Sequence, residues 1–266
     1  MPVETHLYAG HGGLRRAGDL YRPAGPGPHP AVIAVPGGGW LRGTRTSMAQ
    51  WGEYLSARGF ALFAIDYQQS TDGPAWPANL GDVVAGIAWL RDHAASVDID
   101  ADRIGILAAS AGAHLAALAV LGGDAPGIAV LVLAYGVYDP RAHWLADQRQ
   151  PAGPDGDLTE RMTGCRPDDD GDLYDAVSPL GLVKPASAGA LDVLLVWGDA
   201  DEVVLPVQSQ SFAAALTAAG AAVATEIVAG AGHFWFSKDR IADPAGHSAA
   251  VAPKVAHFLE QRLKRS

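Results

Sequence analysis

The chain has 266 residues, of which 49% are hydrophobic and 18% are charged, so it carries enough apolar material for a sizeable core. Its formal net charge of −10 disfavours binding to nucleic acid, to an anionic membrane surface or to a polyanionic substrate. The single cysteine, Cys165, excludes an internal disulfide and a cysteine-rich metal site.

The chain also lacks visible targeting signals. Its first residues, MPVETHLYAG, have neither the basic nor the apolar region of a secretory signal. No apolar run approaches the roughly 18 residues that a membrane span needs. We therefore expect a cytoplasmic protein with no membrane partner; the sequence predicts no particular oligomeric state.

Short apolar runs are the first structural signal along the chain. Leu14–Tyr21 is typical of one strand of an N-terminal antiparallel hairpin, which the turn-rich PAGPGPHP closes off. Six later runs are typical of strands buried on both faces. They are Ala31–Val35, Ala61–Ile65, Ile104–Ala108, Ala129–Tyr135, Asp192–Trp197 and, as a sixth candidate, Thr225–Ala229.

Helical patterns separate these strands. Apolar residues recur at helical spacing over Leu80–Leu90 and Val251–Leu263, and Pro206 and Gly220 mark the start and stop of a helix between them. This alternation predicts an α/β fold: a mostly parallel, eight-stranded sheet with an antiparallel N-terminal hairpin and helices on both faces. We expect a single domain over residues 1–266.

One region breaks the alternation after the sixth strand. Residues 139–185 are rich in Asp, Gly and Pro and are too long for an ordinary connection. The alternatives are a lid or binding insertion and a poorly ordered loop, and the length favours the first. Because this segment is short and polar, it has little core of its own. We therefore do not expect it to form a separate domain.

Ser110 is the single hydroxyl in the stretch GILAASAGAHLA, just past the end of a predicted strand. Ligands of an open parallel sheet bind beyond the carboxyl ends of its strands. A nucleophile there must protrude on a sharp, strained turn, and the residues two positions away must then be tiny. Ala108 and Gly112 meet that demand, although small residues are frequent in this alanine-rich chain.

The stretch VPGGGW, Val35–Trp40, follows another predicted strand. Its three glycines let backbone N–H groups approach a ligand oxygen. A phosphate loop is the rival interpretation, but Thr44 stands where that motif needs lysine. Paired with Ser110, the stretch fits an oxyanion hole, made by the amide of Gly38, with those of Gly37 or Gly39, and by the amide of Ala111 opposite.

Acids and a histidine follow the last two strands. VWGDADEVV places Asp199, Asp201 and Glu202 after one strand, and AGAGHFWF places His233 after the next. A serine nucleophile needs a base of near-neutral pKa, and that histidine needs a carboxylate to fix its tautomer. The spacing alone barely separates the three acids.

Other polar residues are interpreted as structural. His114 is expected to be a packed, hydrogen-bonded histidine, and His247 and His257 to be surface or packing residues. Asp98–Arg103 lacks the glycine and the final glutamate of a calcium loop and is interpreted as a turn with a helix-to-strand connection. Pro167–Asp172 is interpreted as a solvated acidic loop. We infer no metal and no cofactor.

These stretches together resemble the α/β-hydrolase superfamily. The likeness is strongest to its carboxylesterase branch, which includes bifunctional feruloyl and acetyl-xylan esterases and, more distantly, enzymes similar to hormone-sensitive lipase. The resembling stretches, scattered from about residue 31 to the C-terminus, are VPGGGW, AIDYQQS, WPANLGDVVAGIAWLRDHA, DIDADRIGILAASAGAHLAAL, YGVYD, AVSPL, LLVWGDADEVV and GAGHFWF.

The resemblance implies roles for individual residues. It places the nucleophile on Ser110, the acid on Asp201 rather than Asp199, and the base on His233. It places the oxyanion loop on Gly37–Gly39, with Ala111 supplying the second amide.

The chain departs from the family pattern at three positions. Ala108 replaces the usual first glycine of the nucleophile turn, and Pro36 replaces the usual histidine before the glycines. Gln68 replaces the arginine often found after the Asp-Tyr pair, which puts the support of that loop in question.

The resemblance and the motifs together predict a serine carboxylesterase that hydrolyses small, short-acyl esters through an acyl-enzyme, with acetylated or feruloylated sugars among the candidates. The alternatives are an amidase or arylformamidase on the same triad and a non-catalytic ligand-binding homologue. Four aromatic residues are candidates for substrate binding, with ordinary core packing as the competing interpretation. They are Trp40, Trp144, Phe234 and Trp235.

Overall fold

Eight strands form one sheet in the computed structural model, which describes residues 3–149 and 154–264. The strands are β1 (Val3–Ala9), β2 (Arg15–Tyr21), β3 (His29–Val35), β4 (Ala61–Ile65), β5 (Ile99–Ala109), β6 (Val130–Ala134), β7 (Asp192–Gly198) and β8 (Ala222–Val228). Their order across the sheet is β1-β2-β4-β3-β5-β6-β7-β8. β1 and β2 pair antiparallel, β2 pairs antiparallel with β4, and every pairing from β4 to β8 is parallel. The predicted sheet, with its N-terminal hairpin, is confirmed.

Helices cover both faces of this sheet. They are α1 (Ala49–Ser56), α2 (Ala78–His93), α3 (Ala111–Leu121), α4 (Pro140–Asp147), α5 (Leu158–Thr163), α6 (Gly171–Ala176), α7 (Pro179–Leu182), α8 (Pro185–Ala188), α9 (Val207–Ala218), α10 (Trp235–Lys238) and α11 (His247–Leu263). Every side chain of β4 and β6 is buried, as expected for central strands that are covered on both sides. α3 and α11 both pack on β5, and α3 also contacts α2. No helix within the two described ranges is long and apolar enough to cross a bilayer.

β5 begins earlier than the apolar run predicts. Of the turn and helix-to-strand connection predicted over Asp98–Arg103, the turn is at Asp98, whose backbone is left-handed, and the strand already begins at Ile99. Pairing with β3 explains the extension, since Ile99 lies opposite His29 and the His29 amide donates to the Asp98 carbonyl. The register then shifts, since Ala31 lies opposite Ile104, so the acidic residues between Ile99 and Ile104 form an irregularity in the strand pairing.

The predicted insertion contains α4 to α7 and leads into α8, between β6 and β7. Part of the insertion, residues 150–153, lies outside the described residues. The same holds for residues 1, 2, 265 and 266 of the predicted single domain. Several backbone hydrogen bonds tie the insertion to its surroundings: the amides of Ala75 and Trp76 both donate to the Met162 carbonyl, and the Leu180 amide donates to the Tyr138 carbonyl.

The parallel strands bring four connections to one edge of the sheet. The glycine stretch follows β3, Ser110 follows β5, and the segments that carry Asp201 and His233 follow β7 and β8. Ser110 and His233, which lie 123 positions apart in sequence, therefore meet beyond the carboxyl ends of the parallel strands.

Candidate active site

Ser110 sits on a strained turn between β5 and α3. Its φ of 53° and ψ of −123° lie outside the regions that side chains other than glycine prefer. Its amide donates to the Ala134 carbonyl at 2.8 Å, which anchors the turn to the end of β6. Such strain persists only where surrounding contacts enforce it, and it turns the hydroxyl out over the edge of the sheet.

The small residues around Ser110 allow this turn. A Cβ atom on Gly112 would lie 2.3 Å from the Val35 carbonyl oxygen and 2.4 Å from that of Pro36. The start of α3 therefore presses directly against the end of β3. Ala108, where the family pattern has glycine, is fully buried within β5, and the turn forms despite its methyl group.

Ser110, His233 and Asp201 form a continuous hydrogen-bonded row. The Ser110 Oγ lies 3.0 Å from His233 Nε2, and His233 Nδ1 lies 2.7 Å from Asp201 Oδ2. The Asp201 side chain is fully buried, and its other oxygen, Oδ1, accepts hydrogen bonds from the amides of Val203 and Val204, both at 2.9 Å. The carboxylate is thus fixed on both oxygens, and its position fixes the orientation of the imidazole.

Asp199 and Asp201 have different surroundings. The Asp199 Oδ1 accepts a hydrogen bond from the Gly230 amide at 2.6 Å, and this residue is exposed. It joins the ends of β7 and β8 but does not contact the imidazole of His233. Of the acids that the spacing left open, Asp201 is the one hydrogen-bonded to that imidazole.

The glycine stretch lies beside the hydroxyl of Ser110. Gly38, Gly39 and Ala111 line the same cavity as Ser110. Gly37 is not among its lining residues, and a Cβ on Gly37 would come within 3.1 Å of the Ser110 Cβ. Gly38 has a φ of 127°, and its carbonyl accepts from the amides of Leu41 and Arg42 in a tight turn. Ala111 is the first residue of α3, so its amide has no acceptor within the helix.

The cavity at this site is small, with a volume of about 130 Å³. Its apolar lining consists of Trp40, Ala111, Val137, Leu158, Val203, Val204 and Phe234. Besides Ser110 and His233, the charged or titratable lining residues are Arg42 and Asp155, which pair with each other, and His143. Leu158 and His143 come from the insertion, on α5 and α4.

The four predicted aromatic residues divide between the cavity and its surroundings. Phe234 is 44% exposed and lines the cavity, and Trp40 forms a buried part of its wall. Trp235 instead packs in the core, with its ring 5.7 Å from that of Tyr135. Trp144 donates through its indole nitrogen to Glu160 at 2.7 Å, and neither Trp144 nor Trp235 lines the cavity.

His143 is a titratable cavity residue that sequence reasoning missed. It lies one turn into α4, and burial lowers its pKa to about 4, so the ring is neutral at pH 7. A local signal was present, because Asp139 followed by Pro140 is typical of a helix start. The Asp139 carboxylate indeed accepts a hydrogen bond from the Ala142 amide.

His114 is buried and hydrogen-bonded beneath the nucleophile turn. Its Nδ1 accepts from the Trp40 indole N–H at 3.1 Å, which leaves Nε2 to donate to the Val177 carbonyl at 2.8 Å. Burial lowers its pKa to about 4. One neutral imidazole therefore links α3, the end of the glycine stretch and the insertion.

Gln68 is held by a guanidinium from another strand. Its side-chain Oε1 accepts a hydrogen bond from Arg16 Nη2 at 2.6 Å. Its backbone N–H donates to the buried carboxylate of Asp82 at 2.8 Å. The loop that lacks the family's arginine at this position is thus supported by Arg16 of β2. Within residues 3–149 and 154–264, no group of three or more His, Cys, Asp or Glu side chains is arranged to hold a metal ion.

Comparison with known proteins assigns the family. The BD-FAE family model matches residues 19–216, which is most of the chain. The chain belongs to the BD-FAE family. Membership agrees with the resemblance that the motifs indicate.

Relatives of this BD-FAE chain are esterases by name. It is 34% identical over 229 residues to "Esterase LipQ" of Mycobacterium tuberculosis, an alignment that covers 80% of this chain and 52% of LipQ. The chain thus spans about half the length of the curated relatives it matches.

Solved structures show the same fold. Carboxyl esterase 2 of the fungus Tuber melanosporum superimposes with a TM-score of 0.81 at 22% identity, over 98% of this chain and 87% of that one. A truncated carbohydrate esterase from gut microbiota gives a TM-score of 0.80 at 23% identity, over 98% and 97% of the two chains. The α/β-hydrolase fold predicted for this BD-FAE chain is confirmed.

Proposed function

We propose that this protein is a serine carboxylesterase in which Ser110 is the nucleophile, His233 the general base and Asp201 the acid that orients it. The observation that carries the proposal is the row of hydrogen bonds from Ser110 Oγ through both imidazole nitrogens to Asp201 Oδ2. The family of the chain and the names of its relatives support the same activity.

The reaction begins when His233 Nε2 takes the proton of the Ser110 hydroxyl as its Oγ attacks the ester carbonyl. The tetrahedral intermediate collapses with loss of the alcohol, to which His233 returns the proton. A water molecule, deprotonated by the same imidazole, then attacks the acyl-enzyme and releases the carboxylic acid. Asp201 stabilises the imidazolium at each stage and keeps the neutral ring in the tautomer that accepts at Nε2.

Backbone amides of Gly38, Gly39 and Ala111 would bind the oxyanion of the intermediate. All three residues border the cavity beside Ser110, and the first turn of α3 adds the positive end of a helix dipole. Removing one such donor typically costs about a hundredfold to a thousandfold in kcat. Gly37 precedes these donors in the same stretch, and the absence of a side chain there also leaves room for the turn at Ser110.

The cavity favours a short acyl group. Its volume of about 130 Å³ and its mostly apolar lining suit an acetyl to butyryl chain better than a fatty acyl chain. Acetylated or feruloylated sugars are candidate substrates, because only the acyl or alcohol part has to enter the cavity.

We assign residues 139–185 the role of a binding insertion. Leu158 contributes to the cavity wall. It also packs against the glycine stretch so closely that a Cβ added at Gly39 would lie only 2.5 Å from the Leu158 Cδ1. The insertion also meets the main body through the Met162 carbonyl and through Arg161, whose Nη2 donates to the Ser70 carbonyl at 3.1 Å. These contacts favour a fixed wall over a freely moving lid.

The test is turnover of p-nitrophenyl esters from acetate to octanoate by the purified protein. We expect kcat/KM to be highest for the short acyl groups. Ser110→Ala should lower kcat by several orders of magnitude, whereas Ser96→Ala, at an exposed serine, serves as the matched control. Hydrolysis of anilides but not of esters would indicate an amidase, and ligand binding without any turnover would indicate a non-catalytic homologue.

A further inference from the structure

His143 is a buried polar group in the candidate site to which the proposed reaction gives no role. The residue is 7% exposed, and it lines the cavity that holds Ser110 and His233. Asp147 Oδ2 faces its Nε2 at 3.6 Å, beyond ordinary hydrogen-bond distance. Among residues 3–149 and 154–264, no partner lies within hydrogen-bond distance of the ring, which leaves it able to bond a molecule in the cavity.

Side-chain hydrogen bonds fix the start of the helix that carries His143. α4 begins beside Gln208 of α9, whose Oε1 accepts from the amides of Tyr138 and Asp139 at 2.9 and 2.8 Å. The Gln208 Nε2 in turn donates to the Asp139 carbonyl at 3.0 Å, and the His143 amide donates to that same carbonyl. The helix start is thus fixed to the body of the protein, one turn before His143.

The surroundings also favour one form of the ring. Burial keeps it neutral at pH 7, so it has one N–H donor and one nitrogen acceptor. Burial raises the pKa of Asp147 to about 6, so this carboxylate is still ionised at pH 7 and favours the proton on the facing Nε2. Nδ1 then carries a lone pair and can accept a hydrogen bond.

We propose that His143 is a specificity-determining residue that accepts a hydrogen bond from a hydroxyl group of the substrate, close to the ester bond. The inference rests on the proposed esterase function and narrows its substrate class to hydroxylated esters. The hydroxyl can belong to the acyl part, as in a hydroxy acid, or to the alcohol part, as in a polyol or sugar. The rest of the wall around His143 is mostly apolar and offers such a hydroxyl few other acceptors.

The experiment compares isosteric ester pairs that differ by a hydroxyl in place of a methyl group. Methyl 3-hydroxypropanoate against methyl butyrate tests the acyl side, and 2-hydroxyethyl acetate against propyl acetate tests the alcohol side. For each pair, kcat/KM is measured by pH-stat titration with the wild type and with His143→Leu. We expect the hydroxyl-to-methyl ratio to fall about tenfold in the variant in one of the two pairs, which identifies the side of the ester that contacts His143.

Two further variants make the result specific. His143→Gln retains an acceptor oxygen, so its hydroxyl-to-methyl ratio of kcat/KM should lie between those of wild type and His143→Leu. His257→Leu, at an exposed histidine of α11, is the control and should leave the ratios of both pairs unchanged. If His143→Leu does not fold, His143→Phe preserves the ring volume and replaces it in the comparison.

The outcomes separate the two levels of the proposal. Ratios that agree within twofold between wild type and His143→Leu in both pairs would overturn the role of His143, even though the protein hydrolyses all four esters. Absence of turnover of any ester by the wild type would instead overturn the esterase function, and the inference fails with it.

Discussion

The geometry at Ser110 depends on a few individual atoms. The residue has a backbone conformation that serine normally avoids, and it is held there by the Ala134 carbonyl and by close contact between β3 and α3. The imidazole of His233 faces the hydroxyl from one side, and the glycine stretch borders the other. Each of these contacts can be removed separately by substitution.

The acid assignment gives a sharp prediction at this scale. Asp201→Asn should lower kcat on p-nitrophenyl acetate by roughly 10⁴, because the amide would leave His233 in the tautomer that cannot accept the Ser110 proton. Asp199→Asn is the matched control, since Asp199 binds only the Gly230 amide among the described residues and should retain kcat within a few-fold. A larger loss in Asp199→Asn than in Asp201→Asn would show that the acid is misassigned.

At the scale of elements, the site depends on how closely α3 approaches β3. This approach requires the absence of a side chain at Gly112, whose Cβ would overlap two backbone carbonyls that cannot move independently of the sheet. Similar crowding in cores typically costs about 1 to 3 kcal/mol or more.

Gly112→Ala should therefore lower the free energy of unfolding by at least about 2 kcal/mol and reduce activity by displacing Ser110. Urea unfolding followed by circular dichroism measures the first effect, and ester turnover the second. Gly181→Ala in α7 is the control, because its Cβ would meet nothing closer than 3.7 Å. Equal stability of the two variants would contradict the close approach of α3 and β3.

His114 links three elements and gives a prediction about pH. Its pKa of about 4 lies below its ordinary value of 6.5 because burial disfavours the charged ring. Between pH 6.5 and 4 the unfolded chain binds a proton at this residue and the folded chain does not. The free energy of unfolding therefore falls as the pH is lowered through this window.

Between pH 7 and pH 5, the free energy of unfolding of the wild type should fall by about 2 kcal/mol more than that of His114→Asn, because of this one proton. Urea unfolding at both pH values measures the difference, and His257→Asn, at an exposed residue, should behave like wild type. If the free energy of unfolding had the same pH dependence in wild type and His114→Asn, the pKa of His114 would not be lowered by folding, and the buried ring would take up a proton in the folded protein.

At the scale of the whole molecule, local signals predicted most of the sheet. The buried strands are continuous apolar runs, so β4 matches its predicted bounds and β6 differs by one residue at each end. The helices that cover the sheet were visible where apolar residues recur, as in α2 and α11. The placement of Ser110, Asp201 and His233 after the ends of β5, β7 and β8 follows from the order of elements alone.

The rest depends on contacts that a single sequence does not display. α1 is short and was not predicted, and the early start of β5 rests on the pairing of Ile99 with His29 of β3. His143 belongs to the cavity only because Gln208, far along the chain, fixes the start of α4. Tertiary contacts also decide which aromatic residues line the cavity, so the sequence could not separate Trp144 and Trp235 from Trp40 and Phe234.

Covalent labelling tests the central claim most directly. The native protein is treated with a fluorophosphonate, which reacts with activated serine hydroxyls, and the adduct is located by peptide mass mapping. The account predicts one adduct, on Ser110, with parallel loss of ester turnover and no labelling of Ser110→Ala. An unmodified Ser110 in a protein that still hydrolyses esters, or inactivation by an adduct on another residue, would contradict it.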